Sequence, residues 1–333
     1  MTTSRDLEIK WEAQGSTPHY RYDHIQPLLQ GRVKIEGVTF KYDHPMVNAN
    51  FFEDPKFKDG DFGLLDLNWG DSVPAIAAGW DLRLLPVLIK RKPVYNYLWV
   101  RADRGIDAPK DLEGKTIATG GYGSSITTYT RGFLHRFYGV DLSKLSWVSG
   151  GASRFEIYAK DIKIEYPSGP RKSQVQRLLD GEVDGCTGDI TDVKAWAALY
   201  ASPDVKLLFP DYQELNRRLF TEHGIVTPVH VLAMGGRFLR EHPDLARRMF
   251  DGFERSRDIA YDDALGDGTA YSLLVNNREA FQDQLKNWGD IWKHGLRANK
   301  NTIDTFLDYN FEQGLTKTRL AVADVFAAGT LET

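Results

Sequence analysis

Cysteine is almost missing from this chain. Cys186 stands alone among 333 residues, which excludes an internal disulfide and any metal site built from several thiolates. No apolar run reaches the length of a membrane span. Neither sign of charge dominates: 42 Lys and Arg stand against 46 Asp and Glu, a net charge of −4, so there is no electrostatic footprint for nucleic acid or an anionic membrane surface. His-Glu-x-x-His and Gly-x-Ser-x-Gly are both absent, and His19, His24, His44, His223 and His230 fall into no recognised ligand spacing. Neither a metal nor an organic cofactor is expected, and a serine hydrolase is disfavoured. The opening MTTSRDLEIKWEAQG lacks a basic region followed by an apolar one, so a cytoplasmic location is expected. No repeat of fixed period appears.

What is present begins with 114-GKTIATGGYGSSITTYTRGF-133. It is not a phosphate loop: position 109 is Pro109, and Thr116-Ile117-Ala118 after the lysine reads as a strand rather than a helix. It is not a dinucleotide loop either, because Gly121-Tyr122-Gly123 is followed by Ser-Ser-Ile with no third glycine. What remains is a strand, a glycine turn and a helix start rich in amides and hydroxyls, an anion cradle as suited to carboxylate as to phosphate.

A chain of this length is comfortable for two domains, and its hydrophobic content of 42% is ordinary for a globular protein. Short apolar runs alternate with amphipathic stretches, which predicts an α/β fold. Strands are expected at Leu7–Glu12, Val38–Tyr42, Phe62–Leu67, Arg83–Ile89, Tyr95–Arg101, Lys115–Ala118, Ser146–Val148, Val183–Cys186 and Val229–Met234. Helices are expected at Asp23–Leu29, with Asp23 as N-cap, and at Val73–Ala78, Ser125–Tyr138 and Lys172–Asp180. The chain then turns helical over Pro243–Tyr261, Arg278–Asn287, Thr302–Gln313 and Val322–Ala327. Glycine and proline clusters near 102–109 and 224–228 mark two crossings. They divide the chain into one lobe of residues 1–101 and 228–333 and another of 102–227, with ligand in the cleft at the carboxyl ends of the strands.

The phrases 111-DLEGKTIAT-119 and 178-LLDGEVDGCTGD-189 resemble those of the two-lobed type II periplasmic-binding-protein fold. Within it, 22-YDHIQPLLQGRVKIEGV-38, 101-RADRGIDAPKDLEGK-115, 138-YGVDLSKLSWVSGG-151, 226-VTPVHVLAM-234 and 295-GLRANKNTIDTFLDYNFEQGL-315 are similar to segments of the 4,5-dihydroxyphthalate decarboxylases, over almost the whole length. The resemblance implies a lyase acting on a small aromatic carboxylate, or a solute-binding protein of the same ancestry feeding an ABC transporter. Another lyase on the scaffold, one that dehydrates a cyclic carboxylate, is a third reading. The family usually carries Glu-Met-Ser-Leu-Ser-Ser-Tyr where this chain has Asp66-Leu67-Asn68-Trp69-Gly70-Asp71-Ser72, so the wall that touches ligand differs.

Decarboxylation leaves an electron pair on carbon, and without a cofactor the substrate must accept it. A hydroxylated ring does so by taking a proton at the ring carbon before carbon dioxide departs. The protein must then hold the carboxylate with cations and amides and supply an acid and a base. His230, which matches a histidine of the family motif, is the favoured acid. Asp66 would orient a histidine or accept a phenolic proton, and Asp23, beside Tyr22 and His24, would line the cleft as a further catalytic carboxylate. Arg91, Lys92 and Arg154 are candidate anion clamps, although a solvated turn suits such residues as well. Gly123, Ser124, Ser125 and Thr127 form the anion cradle, the hydroxyls being equally suited to plain N-capping. Asn68, Trp69 and Tyr95 complete the expected wall, with Trp69 stacking on the ring or lying in the core. The aromatic-bearing C-terminal helices would pack on the first lobe or on a second copy, which leaves the oligomeric state open.

Overall fold

Runs of β-branched and leucine residues form the strands, and amphipathic segments cover them. The computed structural model describes residues 6–14, 22–46, 50–266 and 273–333; His19 lies outside them. The strands are β1 Leu7–Ala13, β2 Val38–Met46, β3 Leu64–Asn68, β4 Leu82–Arg91, β5 Trp99–Arg101, β6 Thr116–Thr119, β7 Ser146–Ser149, β8 Lys163–Glu165, β9 Gly185–Thr187, β10 Val205–Leu207 and β11 Pro228–Gly235. They form two sheets, ordered β2-β1-β3-β11-β4 and β10-β5-β9-β6-β7-β8. The chain leaves the first sheet after β4 and returns with β11, which inserts antiparallel between β3 and β4. In the second sheet β7, β6 and β9 run parallel, which suits strands covered on both faces.

The helix Leu245–Leu265 closes one face of the first sheet, where Met249 and Phe253 pack with Ile9, Trp11 and Leu232. The other face shares one continuous apolar core with the second sheet, running from Leu65 and Trp69 through Phe306 and Tyr129 to Trp147 and Cys186. Cys186 is fully buried on β9, with β5 on one side and β6 on the other. No helix among the described residues is long and apolar enough to cross a membrane.

Several elements depart from the sequence expectation. Tyr95–Tyr97 is a 3-10 turn and only Trp99–Arg101 is strand, because the chain is turning out of the first sheet just after Pro93. β4 runs on to Arg91. The helix expected from Val73 starts four residues earlier, at Trp69, capped by Asn68, whose Oδ1 accepts from the Gly70 amide. Asp23 is not an N-cap but the first residue of a short 3-10 turn, Asp23–Ile25.

Candidate active site

β3 and β11 carry a polar cluster beside the site. Their register sets His230 opposite Asn68, and on a pleated sheet opposite residues and residues two apart share a face. Asp66, Asn68 and His230 therefore project together. His230 Nδ1 lies 2.6 Å from Asp66 Oδ1, and Tyr22 Oη donates to Asp66 Oδ2 at 3.3 Å. The His230 and Asp66 side chains are both buried. A carboxylate on Nδ1 holds a proton there and leaves Nε2, which has no hydrogen-bond partner among the described residues, to exchange one. Burial, reinforced by the charge of Asp66, pushes the Tyr22 phenol far above its ordinary range, so it stays a donor.

Next to this cluster two helices begin almost in contact. A Cβ on Gly70 would lie 2.2 Å from the Gly123 carbonyl oxygen, so only glycine lets the Trp69–Ala77 and Ser125–Tyr138 helices start so close together. Ser125 Oγ ties the junction: it accepts from the Gly70 amide at 2.9 Å and lies 2.9 Å from Asn68 Oδ1 and 3.0 Å from the Val229 carbonyl. Gln14 completes it, accepting from the Asn68 amide through Oε1 and donating through Nε2 to Asp71 Oδ2, each at 3.0 Å.

A cavity of about 330 Å³ opens here. Asn68, Gly70 and Asp71 form one wall, Gly120–Ser124 a second and the loop Gly151–Glu156 a third, with Phe52, Asp189 and Leu315 at the margins. The second wall is the amino end of a 14-residue helix, where amides and the helix dipole favour an anion. The third brings Arg154, whose guanidinium lies 5.3 Å from the centre of the Phe52 ring. Phe52 and Phe155 stand 5.9 Å apart and give the cavity aromatic faces. Asp189 is held by Lys90, at 3.2 Å, and by Lys92. Burial alone would raise its carboxyl, but the two ammonium groups outweigh burial and hold it below the ordinary range. Asp71 behaves oppositely: burial pushes it up to about 6, with the Gln14 hydrogen bond and the charges of His230 and Arg154 opposing only in part.

The residues expected in the site separate into two groups. Asn68, Gly123, Ser124 and Arg154 line the cavity; Tyr22, Asp66 and His230 form a buried cluster behind Asn68 rather than lining, and Lys92 reaches the cavity through Asp189. Ser124 occupies the N-cap position without capping a backbone amide; its hydroxyl meets that of Thr127 at 2.8 Å. Ser125 and Thr127 are fully buried one layer behind, as ties rather than lining.

The others lie elsewhere. Trp69 is sealed in the core, with Phe306 at 5.0 Å and Phe326 at 6.0 Å, because the chain turns helical at Asn68 and swings the indole inward. Tyr95 packs on Phe209 and Phe133. Arg91 points to the opposite face of β4 from Lys90 and Lys92, into Asn299 and the carbonyls of Val226 and Lys293. His24 is buried beside Trp292 and His294, and burial, helped by the charges of Arg91 and Arg257, lowers it to about 3. Asp23 is exposed. Sequence reasoning missed Gln14, Asp189 and Lys90, and gave Asp71 only as part of the wall that departs from the family, with no role. Only Lys90 carried a signal, since alternation along β4 pairs it with Lys92. Among the described residues no group of three or more His, Cys, Asp or Glu side chains is arranged to hold a metal ion.

Comparison with known proteins bears on what this arrangement serves. Residues 70–264 match the family described as NMT1/THI5 like. A 4,5-dihydroxyphthalate decarboxylase of Comamonas testosteroni is 30% identical over 93% of this chain and 95% of its own length. A second protein of that name, from Pseudomonas putida, is 32% identical over 50% of this chain and 67% of its own. Among solved structures, a putative periplasmic sulfonate-binding protein of Methylobacillus flagellatus KT superimposes with a TM-score of 0.58 at 12% identity, over 97% of this chain and 92% of its own. The periplasmic aliphatic sulphonate binding protein of Escherichia coli does so with a TM-score of 0.55 at 14% identity, over 99% and 100%. At such identities the likeness is one of fold: the two-lobed α/β arrangement of the periplasmic binding proteins.

Proposed function

Because the chain belongs to the NMT1/THI5-like family and, within it, to the 4,5-dihydroxyphthalate decarboxylases, we propose that it is a carboxy-lyase that removes carbon dioxide from a hydroxylated aromatic carboxylate without an organic cofactor. One observation carries the reading: a cavity with an anion-accepting wall, made by the amino end of the Ser125–Tyr138 helix and Arg154, lies beside the hydrogen-bonded Asp66–His230 pair, whose strands also carry the lining residue Asn68. The wall would hold carboxylate through amide dipoles and a guanidinium, while Phe52 and Phe155 offer faces for the ring. His230, oriented by Asp66 and backed by Tyr22, would exchange a proton with the substrate. Residues 1–101 with 228–333 would form one lobe and 102–227 the other, closing over the ring and excluding water. A cytoplasmic site of action goes with this reading, and fractionation of cells carrying the native gene checks it.

The experiment is to incubate the protein with 4,5-dihydroxyphthalate and follow carbon dioxide and the monocarboxylate product. Turnover is expected, and His230→Asn should lower kcat by roughly 100-fold or more while binding persists. Tight binding with no carbon dioxide from the wild type would replace the enzyme with a solute-binding protein, the reading that the fold keeps available.

A further inference from the structure

The cavity holds a carboxyl group for which the reading above has no use. Asp71 is the third residue of the Trp69–Ala77 helix and faces the glycine-serine wall and the Gly151–Glu156 loop. We propose that Asp71 is the acid that protonates the ring carbon losing carbon dioxide, leaving His230 as the base for the phenol; this inference rests on the decarboxylase reading.

The geometry fits a neutral carboxyl that donates. Gln14 cannot be turned around: its Oε1 is fixed by the Asn68 amide, so Nε2 must face Asp71 Oδ2. That leaves Oδ1 for the proton. Asp71 has no ion pair among the described residues, whereas Asp189, on the same cavity, has two. The charged groups around Asp71 are His230 from β11, Arg154 and Glu156 from the loop, and Asp189 beyond β9. The His230 and Arg154 charges oppose the rise in its pKa only in part. A bound carboxylate adds negative charge and drives Asp71 further toward its protonated form. The substrate would thus load its own proton donor.

The step balances. His230 Nε2 takes the phenolic proton, and the electron pair released into the ring takes the Asp71 proton at the carbon bearing the carboxylate. The bond from that carbon to the carboxylate then breaks and carbon dioxide leaves. Its electron pair restores the aromatic ring, and His230 returns its proton to the phenolate oxygen. Asp71, now a carboxylate, recovers a proton from water. The net consumption is one proton per carbon dioxide released.

The test compares wild type, Asp71→Asn and Asp71→Glu across pH with 4,5-dihydroxyphthalate. If the wild type binds without turnover, the decarboxylase reading fails, and that failure is visible before any variant is made. If the wild type turns over, its kcat should fall on the alkaline side, where Asp71 is ionised. Asp71→Asn should lose roughly 100-fold in kcat, with KM unchanged or lower because a repelling charge has gone. Its alkaline limb should vanish, and Asp71→Glu should restore part of both. Phthalate binding checks that the variants are folded. An Asn variant within about threefold of wild type in kcat, or one that loses kcat and keeps the alkaline limb in place, overturns the proposal. Should the variants not fold, a wild-type profile with no alkaline limb does the same.

Discussion

At the scale of single residues, two neighbouring serines do different work. Ser125 is fully buried and ties Gly70, Asn68 and Val229 together, whereas Ser124 lines the cavity. Ser125→Ala should therefore cost about 1–3 kcal/mol of stability, the penalty for stripping a buried partner from a satisfied polar group, while KM barely moves. Ser124→Ala should raise KM at nearly unchanged stability. Denaturant titration and steady-state kinetics on the pair separate the roles, and the reverse pattern would exchange them. The sequence showed both hydroxyls at a helix start but not which one faces the ligand, because that depends on the rotation of the helix against β11. Lys92 and Arg91 make the same point. Adjacent residues on a strand face opposite ways, so only one could belong to the cavity, and reading the segment as a turn hid this.

At the scale of elements, alternation and helical spacing placed most strands and helices, but they passed over the strands Lys163–Glu165 and Val205–Leu207 and the helices Val193–Ala201 and Tyr212–His223, and they failed where elements meet. Trp69 was legible as aromatic but not as core, since its direction is decided by the strand-to-helix switch at Asn68. The pairing of Asp71 with Gln14 was illegible for a related reason: the two are far apart in sequence and are joined only when β1 and β3 pair. The meeting of two helix starts at Gly70 is equally a product of tertiary structure. Gly70→Ala places a methyl group against the Gly123 carbonyl and the Ser125 amide, which should cost about 1–3 kcal/mol by overpacking. It should also push the anion-binding wall outward and raise KM. A variant with unchanged melting temperature and KM would show that the seam has slack.

At the scale of the whole molecule, buried titratable groups pull stability in opposite directions with pH. Burial and nearby positive charge lower His24 from 6.5 to about 3. The unfolded chain therefore binds the extra proton first, and the stability His24 contributes is complete above about pH 6.5 and is lost as pH falls toward 3. Burial, helped by the charge of His24, likewise drives His294 well below its ordinary range and adds to the loss. Asp71 has the opposite sign, since its rise from 3.8 to about 6 means that the folded state keeps its proton longer. Stability is then favoured at low pH and falls as pH rises through that interval. Asp71 keeps a cavity-facing edge, so the full effect is at most about 3 kcal/mol. Asp71→Asn should be more stable than wild type by up to that amount at pH 7.5, an advantage that disappears near pH 4. Denaturation at the two pH values checks it, and a pH-independent difference would show that Asp71 is not raised. The two-sheet architecture and the family were legible from the order of elements and the long matching segments. The depth at which each ionisable group is buried was not, because it is fixed by how the two sheets share their core.

The solitary thiol on β9 has a practical consequence. Cys186 is sealed between neighbouring strands, and burial pushes it up to about 12, so in the closed molecule it is both out of reach and unreactive. A disulfide reagent can modify it only during excursions that part the second sheet. The native chain thus carries its own stopwatch for those excursions, with one colour-forming event per molecule and no label to install. Whatever slows that clock when added to the solution has been gripped by the folded form.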